Sequence, residues 1–165
     1  MDFLLITVLA GSLGMGQPAQ TSQVQVQLPD SLPANCVQAA ADRYSVPAML
    51  LLAIVKWESR GKQVANCRNA AGGCDLGISQ INTQWWAPYL QKNYGIQPER
   101  LMTDNCQALM AQSYILRKES RSAQCNGDLW CAAARYHSPN SAELQRQYIA
   151  KVWDAHLGIL QRGAF

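Results

Sequence analysis

The sequence lacks the short motifs that indicate several common enzyme chemistries. It contains no Gly-x-Ser-x-Gly elbow, no His-Glu-x-x-His pair and no phosphate-binding glycine loop, so it gives little support to an α/β-hydrolase, a zinc protease or a P-loop enzyme. It also lacks a Cys-x-x-Cys pair and has only two histidines, His137 and His156, which does not fit the ligand spacings of zinc sites. We therefore expect no metal and no cofactor.

Clustered charge is missing as well. The 14 Lys and Arg residues and 11 Asp and Glu residues are scattered along the chain, with a formal net charge of +3. No basic run alternates with aromatic residues, so we expect no nucleic-acid partner. A mild positive balance suits an anionic polymer or surface without identifying one.

The chain also lacks an apolar run long enough to span a bilayer. Its longest apolar run, Phe3 to Leu13, is too short for that and is typical of the core of a secretory signal, although Asp2 stands where Lys or Arg is usual. We interpret residues 1–19 as an export leader, with cleavage near Gly16 or Ala19. An ordinary N-terminal helix is the alternative.

The remaining length, with 48% of all residues hydrophobic, suits one globular domain, which we expect to be a monomer. The segment from Gln17 to Ser31 is rich in Gln, Pro and Ser and is typical of an unstructured spacer. We therefore place a linker at residues 20–34 and the folded domain at residues 35–165.

Six cysteines, an even number, lie beyond the leader, which in an exported domain predicts disulfide bonds. Six cysteines permit 15 pairings, so spacing has to choose among them. Cys67 and Cys74 bracket one short turn-rich segment, and Cys125 and Cys131 bracket another. Cys36 is then left to pair with Cys106, a bond that closes a long loop and contributes about 4 kcal/mol in the chain-entropy model.

Apolar periodicity predicts a compact, mainly helical α+β domain. The clearest helix runs from Pro47 to about Ser59 and has almost no polar face until Lys56, so we expect it to be buried nearly all round. Residues Leu76 to Ile81 predict a short strand, and Asp104 and Ser141 are expected to cap later helices. A small β excursion is therefore set among helices.

Glu58 is the first candidate for chemistry because it ends this apolar helix. Partial burial disfavours the carboxylate anion and raises a carboxyl pKa, which is the condition for a general acid near neutral pH. The ordinary alternative is a solvated glutamate at a helix end, beside Arg60 or Lys62.

Three segments in order carry a family resemblance: Glu58-Ser59, Gly77 to Asn82 and Ala134 to Ser138. Together they resemble the motifs of lytic transglycosylases with a lysozyme-like fold, over about Cys36 to Trp153. The resemblance extends to small exported members that accompany secretion, conjugation or pilus machines, which implies a bacterial periplasmic protein and such a machine as partner.

The resemblance implies cleavage of the β-1,4 bond between N-acetylmuramic acid and N-acetylglucosamine in peptidoglycan, with a 1,6-anhydro product. Glu58 is then acid and later base. Ser59 orients it, Ser79, Gln80 and Asn82 line the sugar groove, and Tyr136 points its hydroxyl at the Glu58 site. For three of these residues an ordinary role stays open: Ser59 as a helix end, Asn82 as a helix cap and Tyr136 as a core residue.

This sequence departs from the family pattern at two places. Ile78-Ser79 replaces the usual Leu-Met, and Tyr136 is followed by His137-Ser138-Pro139 where Asn-x-Gly is usual. A substrate contact is one role open to His137, but we favour a surface residue or one that supports a residue in contact with the substrate. A non-catalytic peptidoglycan-binding or assembly protein is the alternative outside enzymes.

Asp75 leaves the reaction itself open. Hydrolysing glycosidases use two carboxyl groups, at about 5 Å when one is a nucleophile and about 6.5–9.5 Å when one activates water. At either distance Asp75 would make the chain a muramidase. We favour a structural or auxiliary role for Asp75, as a loop residue that fixes the turn before Gly77.

Overall fold

A computed structural model describes residues 2–10, 20–67 and 72–165 of the chain. Helices dominate these residues, and the α+β, mainly helical prediction is confirmed. The helices are α1 (Ala34–Tyr44), α2 (Ala48–Glu58), α3 (Trp86–Tyr94), α4 (Pro98–Thr103), α5 (Asn105–Ser120), α6 (Leu129–His137) and α7 (Ala142–Arg162). The strands are β1 (Asp2–Ala10), β2 (Gln20–Leu28), β3 (Ala65–Asn66), β4 (Asp75–Leu76) and β5 (Ile81–Asn82).

Helix α2 forms the centre of the core, as its apolar sequence predicts. Every residue from Met49 to Val55 is buried, so the helix is enclosed by its neighbours and turns no face to water until Lys56. Helices α1, α5 and α7 pack around it. The main core therefore holds the helix that carries Glu58 at its end.

Side-chain caps fix where three later helices begin. The carboxylates of Asp104 and Asp128 accept hydrogen bonds from backbone N–H groups at the starts of α5 and α6, and Ser141 does the same for α7. Each bond satisfies an N–H that has no partner within its helix. Ser45 ends α1 in a left-handed conformation, with φ of 52°.

The segment predicted as one strand from Leu76 to Ile81 is a tight hairpin, so that prediction is wrong. Strands β4 and β5 pair Asp75 with Asn82 and Leu76 with Ile81, and residues 77–80 form the turn. The turn needs positive φ at Gly77 (69°) and Gln80 (49°). A Cβ on Gly77 would lie 2.1 Å from the backbone oxygen of Leu101, so this turn requires glycine where it meets α4.

Three disulfide bonds tie the described residues together. They are Cys36–Cys106, Cys67–Cys74 and Cys125–Cys131, the three pairs expected from spacing. The first links the start of α1 to α5, the second holds β3 near β4, and the third closes the turn before α6. The contribution of about 4 kcal/mol expected from Cys36–Cys106 stays a prediction.

The N-terminal residues differ from the expected unstructured spacer. Strands β1 and β2 form an antiparallel hairpin, from Asp2 opposite Leu28 to Ala10 opposite Gln20. The reason is an alternating apolar pattern in β2, which buries Val26 and Leu28 in the main core. The expected leader and its cleavage stay a prediction, and the proposed cleavage positions lie outside the described residues.

The search for membrane-spanning elements covered the described residues. None of their helices is both long enough and apolar enough to cross a membrane.

Candidate active site

The C-terminal end of α2 places Glu58 at the edge of the main core. The residues before it are buried, and the chain then turns through Arg60 and Gly61, both with positive φ (56° and 75°). Glu58 is therefore held by a rigid helix on one side and a tight turn on the other. Its side chain is partly buried.

Burial changes the acidity of this carboxyl. The pKa of Glu58 is raised from its ordinary 4.5 to about 7, chiefly because the carboxyl is taken out of water, with a further rise from the negative charge of Asp75. A carboxyl with such a pKa is protonated in a large fraction of molecules at neutral pH. It can donate a proton and, once ionised, take one back.

Tyr148 is the hydrogen-bond partner of the Glu58 carboxyl. Its hydroxyl, on the buried face of α7, donates to Oε1 of Glu58 at 2.7 Å. This bond favours the anion and lowers the pKa of Glu58, opposing part of the effect of burial. Burial and the Glu58 charge raise the pKa of the Tyr148 hydroxyl well above its ordinary value, so the hydroxyl remains a donor.

Tyr136 lies in the same site but has a different partner. Its hydroxyl donates to the backbone oxygen of Ser79 at 2.5 Å. Burial raises the pKa of the Tyr136 hydroxyl, and the charges of Glu58 and Asp75 raise it further. The hydroxyl is therefore within electrostatic reach of both carboxyl groups. Tyr136 thus joins α6 to the hairpin turn next to Glu58.

Ser59 holds the backbone at the end of α2. The Ser59 hydroxyl donates to the backbone oxygen of Ile78 at 2.7 Å and accepts from the backbone N–H of Gly61 at 3.1 Å. The side chain is buried. Ser59 therefore fixes the distance between the helix end and the hairpin turn, which orients Glu58 through the backbone.

Ser79 and Gln80, expected to line a sugar groove, direct their side chains into the protein. The Ser79 hydroxyl is fully buried and donates to Oε1 of Gln112 at 2.9 Å. The amide of Gln80 donates to the backbone oxygens of Val64 and Gly77. The Ser79 hydroxyl satisfies a buried side-chain oxygen of α5, and the Gln80 amide satisfies two backbone oxygens, so their contacts are with the scaffold.

Asp75 and Asn82 form a pair across the hairpin. The Asn82 amide donates to Oδ1 of Asp75 at 2.9 Å, and its Oδ1 accepts from the backbone N–H groups of Gln84 and Trp85. Asn82 therefore holds the turn before α3, but it is not the helix cap that was left open, since α3 is capped at Trp85 without a side-chain bond. The negative charge of Asp75 raises the pKa values of Glu58, Tyr136 and His137.

His137 lies flat against the ring of Tyr148. The two ring centroids are 4.4 Å apart and the planes are nearly parallel, at 3°. Desolvation lowers the pKa of His137, which favours the neutral ring. His137 thus supports the tyrosine that contacts Glu58.

Two large aromatic side chains near the site are exposed to solvent. Trp57, directly before Glu58, is 46% exposed, and Trp85, at the start of α3, is 69% exposed. The neighbouring Trp86 packs against a second, smaller buried cluster that includes Ile81 and Leu90, and Tyr89 stacks on Tyr114. Trp57 and Trp85 therefore present aromatic surface to solvent, and Lys151 lies over the Trp57 ring.

Tyr148 is the residue that the sequence analysis missed as part of the site. It lies on the last helix, 90 positions from Glu58. A signal was present: its hydroxyl is the polar group in a buried stripe with Val152 and Ile159, and a buried hydroxyl needs a partner.

The arrangement supports proton transfer at one carboxyl. In the part of the chain that the structure describes, no group of three or more His, Cys, Asp or Glu side chains is placed to share a metal ion. The chemistry available from these residues is that of a tuned carboxyl, two tyrosine hydroxyls and a second carboxylate.

Comparison with protein families matches residues 35–151 to the family described as the Transglycosylase SLT domain. Among curated proteins, the Invasion protein IagB of Salmonella typhimurium is 30% identical over 124 residues, which cover 73% of this chain and 74% of that protein. Protein IpgF of Shigella sonnei is 27% identical over 129 residues, covering 76% and 82% respectively.

A solved structure shares the fold. It is an inactive mutant of the lytic transglycosylase Slt from Pseudomonas aeruginosa, with a TM-score of 0.57 and 16% identity. The match covers 78% of this chain but 24% of the solved one, so this chain spans about a quarter of that protein's length. At this identity the likeness concerns the fold, and it confirms the expected fold class.

Proposed function

The chain belongs to the Transglycosylase SLT family and is a peptidoglycan lytic transglycosylase, and on that premise we propose that Glu58 is its single catalytic acid and base. The observation that carries the proposal is the pKa of about 7 at a partly buried carboxyl. A group that acts first as acid and then as base works best when its pKa lies near the working pH.

The proposed reaction uses one proton and no water. Protonated Glu58 gives its proton to the glycosidic oxygen as the bond from that oxygen to C1 of the muramoyl residue breaks. The muramoyl C6 hydroxyl then attacks C1, and the Glu58 carboxylate takes the hydroxyl proton. The products are a 1,6-anhydro-muramoyl end and a free N-acetylglucosamine hydroxyl, and Glu58 returns to its protonated state.

The other residues of the site act on Glu58 and on the backbone around it. Tyr148 donates to the carboxylate when the proton has left, and the Ser59 and Tyr136 hydroxyls hold the turn opposite it. Sugar contacts for Ser79, Gln80 and Asn82 are supported only by the motif in which they stand. Their scaffold contacts support a positioning role.

Mass spectrometry of products from purified sacculi tests the reaction. Anhydro-muramoyl ends that disappear in Glu58→Gln and persist in Asp75→Asn support the single-carboxyl mechanism. Reducing ends that disappear in both variants would instead establish a muramidase with Asp75 as second carboxylate. Intact sacculi after treatment with correctly folded protein would favour the non-catalytic binding protein.

We also propose that the protein works in the periplasm, after removal of a leader at about residue 19, and opens the wall for a secretion, conjugation or pilus apparatus. Peptidoglycan lies outside the cytoplasmic membrane, so its enzyme is exported. The similarity to a protein named as an invasion protein supports the role in opening the wall for such an apparatus.

Deletion of the gene, followed by counts of assembled apparatus, tests this role. Assembly should fall and return with the parent chain, while the Glu58→Gln chain should fail to restore it. Unchanged assembly in the deletion strain would remove the role, and full rescue by Glu58→Gln would assign it to binding alone.

A further inference from the structure

Strand β2 lies between β1 and the C-terminal residues, and each of them forms backbone hydrogen bonds with one edge of β2. On one side the backbone N–H and oxygen of Gln27 bond to Gly163 and Phe165 at the C-terminus. Since successive residues of a strand direct their backbone groups to opposite sides, those of Val24 and Val26 point the other way, toward β1. The C-terminus thus fixes β2 to the domain independently of β1.

Strand β1 makes side-chain contacts with the domain at alternate positions. Leu4 and Ile6 are buried in the main core, at 4% and 9% exposure, whereas Leu5 between them is 62% exposed. The carboxylate of Asp2 accepts a hydrogen bond from the backbone N–H of Ala34, the first residue of α1. The start of α1 has no side-chain cap of its own, so Asp2 supplies one from outside.

These contacts show which side chains the domain accommodates in a strand paired with β2. Asp2, Leu4 and Ile6 share one face of an extended strand, so the pattern is an acidic residue, an aliphatic residue and a second aliphatic residue at alternate positions. Main-chain hydrogen bonds supply general affinity for a strand, and the two apolar sites and the helix start supply selectivity.

Removal of the leader, on which this inference rests, takes β1 away and leaves that edge open. Strand β2 reads Gln-Thr-Ser-Gln-Val-Gln-Val-Gln-Leu, with no charged residue and no proline. Exposed edge strands are ordinarily protected against pairing by such residues. The exposed backbone groups of Val24 and Val26, and the sites left by Leu4 and Ile6, would then be available.

We infer that the edge of β2 in the processed protein is a docking site for an extended segment of another protein, which carries the acidic-x-aliphatic-x-aliphatic pattern and replaces β1. A component of the apparatus that the enzyme serves is the fitting source, since it would hold the enzyme at the place where the wall must open.

A second copy of this chain fits the site less well. If two β2 strands paired with the same face toward their cores, the α1 helices that underlie the β1 position in each copy would compete for the same space. If the faces were opposed, Gln23, Gln25 or Gln27 would enter the sites of Leu4 and Ile6. The first arrangement therefore makes the two copies overlap, and the second buries polar side chains.

The test begins with the full chain, carrying a protease site inserted among residues 11–19. After folding, cutting and removal of β1, a fluorescent peptide with the sequence of residues 2–10 is titrated, and muralytic activity checks that the domain remains folded. We expect saturable binding at a 1:1 ratio. Leu4→Ser, Ile6→Ser or Asp2→Ala in the peptide should weaken it, by about tenfold or more for each aliphatic change, while the matched Leu5→Ser should leave it nearly unchanged.

Backbone methylation of the peptide distinguishes strand pairing from non-specific hydrophobic binding. A methyl group on the Ile6 nitrogen removes a donor to β2 and should weaken binding by about fivefold or more. The same group on the Leu5 nitrogen, which points away from β2, should have much less effect.

Four results would overturn the inference: equal binding of all peptides, loss of the folded domain when β1 leaves, dimerisation of the cut chain in place of peptide binding, or a cellular protein whose N-terminus, by mass spectrometry, retains residues 2–10. The product analysis of sacculi can be run on the full chain, which keeps β1, so failure here is distinguishable from failure of the proposed reaction.

Discussion

The end of α2 and the β4–β5 hairpin both bring polar residues to one place, but they use them differently. At the end of α2, Glu58 is deprived of water and given one hydroxyl donor, Tyr148, and its pKa rises to about 7. In the hairpin, Ser79 and Gln80 bond to Gln112 and to backbone oxygens. The first region tunes a charge, and the second holds a backbone close to it.

The largest effect that this comparison predicts is loss of activity in Glu58→Gln. The amide can still accept from Tyr148 but cannot transfer a proton, so the rate of sacculus cleavage should fall by about 10²–10⁴-fold. Zymography or release of muropeptides measures the fall. The exposed Glu143→Gln serves as the matched control and should keep the parent rate; a Glu58→Gln chain at more than a tenth of that rate would mean that another group supplies the proton.

The next largest effect concerns the backbone of the hairpin, in Gly77→Ala. The new Cβ would lie 2.1 Å from the backbone oxygen of Leu101, and position 77 has a φ of 69°, which residues other than glycine rarely adopt. We therefore expect a loss of about 3 kcal/mol in the free energy of unfolding.

Gly95→Ala is the control, since Gly95 also has positive φ (67°) but open space around the Cβ position. It should lose about 1 kcal/mol by urea unfolding. Equal losses in the two variants would show that φ alone matters and that the hairpin does not press on α4.

How far the sequence predicts this molecule follows from the range of the interactions. Caps at Asp104 and Ser141, the buried α2 and the acid at its end depend on neighbours within a few residues, and these predictions agree with the structure. The contact of Tyr148 with Glu58 spans 90 positions, and no local pattern encodes it.

The sequence also does not predict that the Ser79 side chain points into the protein. That direction depends on the turn at residues 77–80, and the alternating pattern predicts a continuous strand there. A continuous strand would place Leu76, Ile78 and Gln80 on one face, whereas positive φ at Gly77 and Gln80 breaks that order. The β1–β2 pairing was missed for another reason: a Gln-rich segment satisfies composition rules for a spacer while Val24, Val26 and Leu28 still alternate.

Ionisation of Glu58 should make the free energy of unfolding depend on pH. The folded pKa of Glu58 lies above its ordinary value, so folding binds a proton, and this stability is present below about pH 4.5 and lost as pH rises to about 7. Glu58→Gln should therefore gain up to about 3 kcal/mol over the parent at pH 8 and nothing at pH 4.

Urea unfolding at the two pH values measures this difference. A gain of the same size at pH 4 and pH 8 would mean that ionisation of Glu58 is not its cause.

The smallest effect is expected in Ser79→Ala. Loss of the Ser79 donor leaves the buried Oε1 of Gln112 without it and should cost about 1 kcal/mol of stability, with KM for solubilised glycan strands unchanged. Ser113→Ala, which removes a similarly buried donor to the backbone oxygen of Ala40, is the control. A KM increase confined to Ser79→Ala would place Ser79 in the sugar groove.

The most direct test of the central claim is the titration of the Glu58 carboxyl itself, by carbon-detected NMR of protein labelled at glutamate side chains, with Glu58→Gln assigning the signal. We predict a midpoint near pH 7, and a higher one in Tyr148→Phe, because the Tyr148 hydrogen bond lowers the pKa. A midpoint near 4.5 in the parent, unmoved by Tyr148→Phe, would contradict the account of Glu58 as an acid tuned by burial.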